Sequence, residues 1–486
     1  MLNHLKKFWD DLRGSYWFIP SLMSLAAFLV SHLLVANDSY LQQTFFKSLD
    51  WIYLTQPEGA RTVLSTIAGS MITVAGVTFS ITIASVAYAT SQYGPRLLTN
   101  FMEDRGNQFT LGTFIATFLY CLLVLRTINS AQELAAAQAG SEAVQAFVPN
   151  IAVSFGVLMA TASICVFIYF IHHVPASIHA SNVIADIGNA LIKSIQTSYP
   201  ESPFVDTNKD NLAVNLSGAD FSQPENQNAI AFLSSQEETT KHTRISSKIN
   251  GYVQFLDHEN LYQIAQELDA TIIVNCQPGD YVSTGGCLGW VVSKDKTTKA
   301  PDNDLCAAFI IGRKRTPAQD LLFLSTELIE IAARALSPGT NDPFTAINCM
   351  NWLSSACICL ADRHIEKPQR YDNQNNLRLL YRHVDFIEFT NTNFARLSPY
   401  VATDRNAALH FVAIVGCIAL SCPQPSQKRA ILSLLPTMIE DASKHLSESM
   451  VKELYRRNQV ITGIVSKPET ADQLLLQERW LTGNAS

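Results

Sequence analysis

RTVLSTIAGSMITVAGVTFSITIASVAYATSQYGPR, residues 61–96, carries no charge between its two terminal arginines. At the helical rise the run from Thr62 covers about 45 Å, more than the roughly 30 Å hydrocarbon core of a bilayer. It therefore predicts a transmembrane helix. Thr62, Ser65, Gly69, Thr73, Gly76, Ser80, Ala84, Ala87 and Ser91 follow one another at steps of three or four, which gathers them on one helix face. Leu64, Ile67, Met71, Val74 and Ile81 fall largely off it. A face so narrow suits two neighbours. One is another helix, packed through the small-xxx-small pattern. The other is a file of water and ions inside a ring of copies, with Thr66, Ser70, Thr78, Thr82 and Ser85 adding hydroxyls at its edges.

Working outward, three more runs have the length and apolarity of spans: 17–36, 109–126 and 148–171, beside 62–91 for the first. Tyr16, Trp17, Trp51 and Tyr53 precede the first two spans, where aromatic belts sit. Lys6, Lys7 and Arg13 precede the first span, and Arg96 and Arg105 lie between the second and third. The 129–147 loop holds Glu133 and Glu142 and no basic residue. The positive-inside rule then puts both termini in the cytoplasm. Arg61, Arg126 and His32 mark the outer boundary, and Arg126 reads as a snorkelling side chain. His172 and His173 end the fourth span, on different sides of the helix.

Beyond 174 the texture changes. Residues 175–243 read as an amphipathic connector (Val183, Ile184, Ile187, Leu191, Ile195) followed by a polar linker. Residues 244–312 hold short apolar runs separated by turns, and PGDYVSTGGCLGWV (278–291) resembles the strand-turn-strand of biotinyl/lipoyl-type barrels. No lysine stands where a carrier domain would be modified, so a structural β-barrel-like subdomain is expected. Residues 313–486 predict a helical domain. Thr316-Pro317-Ala318-Gln319 reads as a capping box starting a helix to about Leu336. Arg313, Lys314, Arg315 and Thr316 at that start form a candidate anion site. Its bland alternative is a solvated basic loop. Asp320, Glu327, Glu330 and Arg334 give the helix a polar face, and Asn341 and Asp342 open the next helix. Ala407–Ser421 reads as a buried core helix rather than a further span.

Composition narrows the function. Hydrophobic residues make up 48% of 486 and the net charge is −7, so a nucleic-acid binder is excluded. A mean hydropathy of only +0.10 means that a large part of the chain lies outside the membrane. Ten cysteines, none in the 37–60 or 129–147 loops, suit reduced thiols. GxSxG, Walker, HExxH, CxxC and GxGxxG patterns are absent, so neither an enzyme nor a cofactor is expected.

SYWFIPSLM (15–23), the 60–98 run, DRGNQFTLGTFIATFLYCLLVLRTI (104–128) and RALSPGTNDPFTAINC (334–349) resemble bacterial inner-membrane proteins of domain-of-unknown-function family 2254. The resemblance implies four spans plus a cytosolic part, and supplies no activity and no site residues. The expected fold is thus an α-helical membrane domain with a cytosolic α+β region. The expected function is an oligomeric channel for ions or small solutes, lined by the second span. The alternative is a membrane-anchored sensor of an anionic metabolite. Expected partners are the bilayer and further copies of the chain.

Overall fold

The computed structural model describes residues 15–38, 56–94, 104–128, 148–199, 241–293, 302–363, 365, 368–466 and 479–481. Lys6, Lys7, Arg13, Arg96, the 129–147 loop, most of the 37–60 loop and the 200–240 linker lie outside them. The chain divides into two compact units, Met1–Asn182 and Val183–Ser486.

The first unit is a helix bundle: α1 (Phe18–Ala36), α2 (Pro57–Tyr93), α3 (Arg105–Leu125) and α4 (Asn150–Ile178). Pro57 stands in the first turn of α2, where its missing N–H breaks no bond, so the helix starts before Arg61. Gly94, at φ +115, ends it. α4 runs through Pro175, beyond the expected end at 171. α3 is central and the most buried of the four. Its glycine at 112 lets α1 approach: a Cβ there would lie 3.2 Å from the Pro20 Cα. Gly156 of α4 plays the same part, with Leu64 and Tyr120 at 3.0 and 3.5 Å from an added Cβ.

Polar groups join the helices where they are dry. The Tyr120 hydroxyl donates to the Ala152 carbonyl at 2.8 Å, and Thr117 and Ser163 share a hydroxyl–hydroxyl bond of 3.1 Å. At one end Arg61 donates to the carbonyl of Ile128 just past α3 (2.7 Å), and Asp38 accepts from the backbone N–H of Ile151 in the first turn of α4 (3.0 Å). Both contacts place a charge where the helix dipole favours it. At the other end Asp104 caps α3 by accepting from Gly106 N–H at 2.8 Å. Its second oxygen accepts from His173 Nε2 at 2.9 Å, and the His173 ring stacks on Tyr169.

In the second unit, α5 (Ala180–Ser198) turns Val183, Ile184, Ile187, Leu191 and Ile195 inward. Gly188 lies against Trp352, so this stripe is core. Then come β1 (Lys241–Ser246), β2 (Gly251–Leu256), α6 (His258–Glu267), β3 (Ala270–Val274), β4 (Tyr281–Val282), β5 (Cys287–Ser293), α7 (Asp302–Ala307) and β6 (Phe309–Gly312). After them lie α8 (Leu321–Ala335), α9 (Pro343–Ala361), β7 (Gln369–Tyr371) and β8 (Leu377–Leu380). The helical remainder is α10 (Phe386–Thr390), α11 (Arg396–Val401), α12 (Arg405–Ser421), α13 (Pro425–Leu432), α14 (Leu434–Ala442) and α15 (Glu448–Ser466).

The expected barrel over 244–312 does not form; no closed barrel occurs among the described residues. The strands make two open sheets, β1-β5-β3-β8-β7 and β4-β2-β6. β3 pairs in parallel with β8, which comes from beyond α9. Local turns made β2, β3, β5 and β6 readable but carried no sign of a pairing across a hundred residues. Val253, Leu256, Leu261, Ile272, Leu288 and Leu379 form the core shared by the strands and α6. Around α9, Cys349, Met350, Leu353, Ala356 and Cys357 are fully buried, and α12 buries Phe411, Val412, Val415 and Ile418 as a core helix should.

Candidate functional site on the exposed face of α2

α2 carries two lengthwise rows of small and apolar residues on roughly opposite sides. Ala60, Leu64, Ala68, Met71, Ala75, Thr78, Thr82 and Ala89 are buried. They include the positions that meet α3 and α4 in the bundle core. Thr62, Ser65, Gly69, Thr73, Gly76, Ser80, Ala84, Ala87 and Ser91 are all exposed. A Cβ added at Gly69 or Gly76 would find nothing within 4 Å. Among the described residues the bundle thus buries one row and leaves the other exposed.

The hydroxyls of the exposed row are turned inward on their own helix. Thr62 donates to Glu58 O, Ser65 to Thr62 O, Thr73 to Gly69 O, Ser80 to Gly76 O and Ser91 to Tyr88 O, at 2.7–3.0 Å. Thr66 and Ser70 beside the row do likewise. Each proton is spent on a carbonyl of the preceding turn, so what faces outward is the oxygen's remaining acceptor capacity. Thr78 and Thr82, read as flanking the row, lie in the buried seam instead.

The second place singled out by sequence is built differently. α8 starts at Leu321, four residues after the expected Pro317, with Asp320 as its N-cap residue. A capping box needs the Gln319 amide to reach back to Thr316. That amide is engaged elsewhere: it accepts from Leu256 N–H at 2.8 Å and donates to Leu256 O at 3.3 Å. Arg315 closes on Asp320 through Nε and Nη2, both at 2.7 Å from one carboxylate oxygen, and its guanidinium lies over the Phe323 ring. Burial pushes the Asp320 carboxyl up from the usual carboxylate range, and the Arg315 charge opposes that shift. Gly279, at φ +99, is required by this contact, because any Cβ there would strike the Asp320 carboxylate. A carboxylate of the chain itself therefore sits where an external anion would meet Arg315. Arg313 and Lys314 remain exposed.

Glu327 is buried, Glu330 half-buried and Arg334 exposed, so the polar residues of α8 do not share one environment. Asn341 takes a positive φ of 49°, and Asp342 caps α9 by accepting from Thr345 N–H at 3.2 Å and from its hydroxyl at 2.6 Å. Arg126 and His32 are exposed at the bundle surface. Sequence reasoning passed over the Asp104–His173 contact. The Asp-x-Gly start of α3 was the available signal, but the partner lies on another helix. It also passed over His258, whose ring abuts Tyr381 and whose pKa burial depresses to about 4, with Arg370 adding to the shift. Among the described residues no group of three or more His, Cys, Asp or Glu is placed to hold a metal ion.

Set against known families, residues 13–416 match the family described as "Predicted membrane protein (DUF2254)". The chain belongs to this family. Among relatives of this DUF2254 protein are an uncharacterized protein of Mycobacterium bovis and one of Mycobacterium tuberculosis. Each is 27% identical over 452 residues, which is 92% of this chain and 80% of the relative. No solved structure matches the DUF2254 chain. Five of its described helices are long and apolar enough to cross a membrane: α1, α2, α3, α4 and α9.

Proposed function

We propose that this protein is a multi-pass protein of the bacterial inner membrane, assembled from several copies around α2 and forming a conduit for ions or small solutes. The observation that carries the reading is the uncovered row from Thr62 to Ser91, with open space at Gly69 and Gly76. Copies of α2 around an axis would line it with hydroxyl oxygens and helix backbone. Because the hydroxyl protons point back into the helix, such a lining offers acceptors and favours cations over anions. The spans in this reading are α1 to α4. α9, although apolar enough, is half-buried within the second unit and packs as a core helix. The basic residues preceding α1 and α3 support cytoplasmic termini, and the second unit then serves as gate or vestibule.

The test is conductance of the purified full-length chain in planar bilayers, with the reversal potential read under a salt gradient. Cation-selective currents that Gly76→Leu reduces are expected. A monomer in detergent together with silent bilayers over a wide range of voltage and tension would end this reading. The sensor alternative draws no comparable support, since Arg315 is already held by Asp320.

A further inference from the structure

Beside the uncovered row, the bundle has a lateral groove of about 480 Å³, lined among others by Tyr16, Trp17, Pro20, Ser24, Phe79 and Ile115. It opens between the first two turns of α1 and the neighbouring α2 and α3. Its origin is local. Gly112 lets the α3 backbone approach Pro20, while alongside it the Phe79 ring of α2 lies 6.4 Å from the Tyr16 ring. The walls are apolar apart from hydroxyls. That of Ser24 is turned away, donating to Pro20 O at 2.8 Å. Tyr16 and Trp17 stand at one end, and the Tyr16 hydroxyl neighbours Thr82.

We propose that this groove is a binding site for one acyl chain of a glycerophospholipid. Three observations fix the occupant. The groove belongs to three apolar helices of a membrane-protein family, so what surrounds it is hydrocarbon. From Tyr16 to Ser24 helix α1 climbs about 12 Å, most of the roughly 15 Å that one leaflet contributes to the bilayer core. Trp17, exposed, and Tyr16 precede the first turn of α1, where the aromatic belt at a membrane–water interface sits. A water file does not suit an apolar wall, and a compact polar metabolite would leave its hydrogen bonds unmade. Phe79 and Ser80 are neighbours on α2, so a chain seated in the groove presses on the helix that bears the uncovered row.

The site rests on α1, α2 and α3 crossing the bilayer and not on conduction, and its test reads lipid directly. The full-length protein is placed in nanodiscs containing a phosphatidylcholine with a photoactivatable diazirine on one acyl chain, and the labelled peptides are mapped. Saturable labelling concentrated on Tyr16–Ser24, Phe79 and Ile115 is expected. Ser24→Phe, which fills the groove, should abolish it. Leu22→Phe, on the exposed side of α1, should leave it unchanged. Ile115→Phe fills the same space from α3 and repeats the test should Ser24→Phe fail to fold. Labelling spread evenly around the bundle, or undiminished in either filled variant that folds, overturns the site. Silent bilayers alongside intact groove labelling would remove the conduit and keep the lipid.

Discussion

The row on α2 and the basic turn before α8 stand out in the sequence for the same reason: each lays side chains of one chemistry in a line. They end in opposite states. The α2 row is exposed among the described residues, with open space at Gly69 and Gly76, whereas Arg315 is closed on a carboxylate five residues away. The difference teaches that chemistry in a line is a supply of contacts, and only the third dimension shows whether the chain consumes them itself. A row left over is surface for something else. A cation already matched is architecture.

Arg315→Ala attacks the closed side of this contrast and should have the largest effect. It strands a carboxylate whose side chain is 3% exposed, a loss of about 3–5 kcal/mol in unfolding measurements. Asp320→Asn in the same background should recover part of it. Phosphate protecting the wild-type chain from heat through Arg315 would instead show that the arginine is available, and would dissolve the contrast. His258 adds a pH signature to the same unit. The unfolded chain takes up a proton below pH 6.5 while the folded ring waits until about 4. Stability should therefore fall as pH drops through that window, by up to about 3 kcal/mol, and His258→Gln should flatten the decline.

Glycines of the bundle sharpen the comparison within one unit. Gly112→Leu or Gly156→Leu forces a side chain into a filled contact and should cost about 1–3 kcal/mol, seen as a lower thermal midpoint in detergent. Arg61→Ala removes the bond to Ile128 O and should cost about 1 kcal/mol. Gly76→Leu should change the stability of the isolated chain by less than about 0.5 kcal/mol while altering the size of the assembly on a sizing column. A large stability loss from Gly76→Leu, with no change in assembly, would mean the row is not surface.

Sequence alone made the apolar helices legible, because uncharged runs of span length have few other uses. It also grouped the nine residues from Thr62 to Ser91 on one side of α2, since a 3.6-residue period leaves no freedom. What it left open was which of two rows the bundle would take: Leu64, Ala68 and Ala75 are as suited to close packing as Ser65, Gly69 and Gly76. Near Arg315 the misreading had one cause. Gln319 was given to a capping box, whereas its amide serves the backbone of Leu256, more than sixty positions earlier. The barrel failed for a related reason, because β8 enters the sheet from beyond α9. Partners close along the chain are visible in a string of letters, and partners brought together by tertiary pairing are not.

Asp38 carries a consequence for how the molecule is made. Its carboxylate, 3% exposed, is satisfied by the N–H of Ile151, 113 positions later. During synthesis the first helix is delivered long before the fourth exists, so this acid must wait without the N–H that donates to it. Only when the fourth helix arrives is this acid matched at that end of the bundle. A chain stopped before Ile151 would leave the Asp38 carboxylate without that donor.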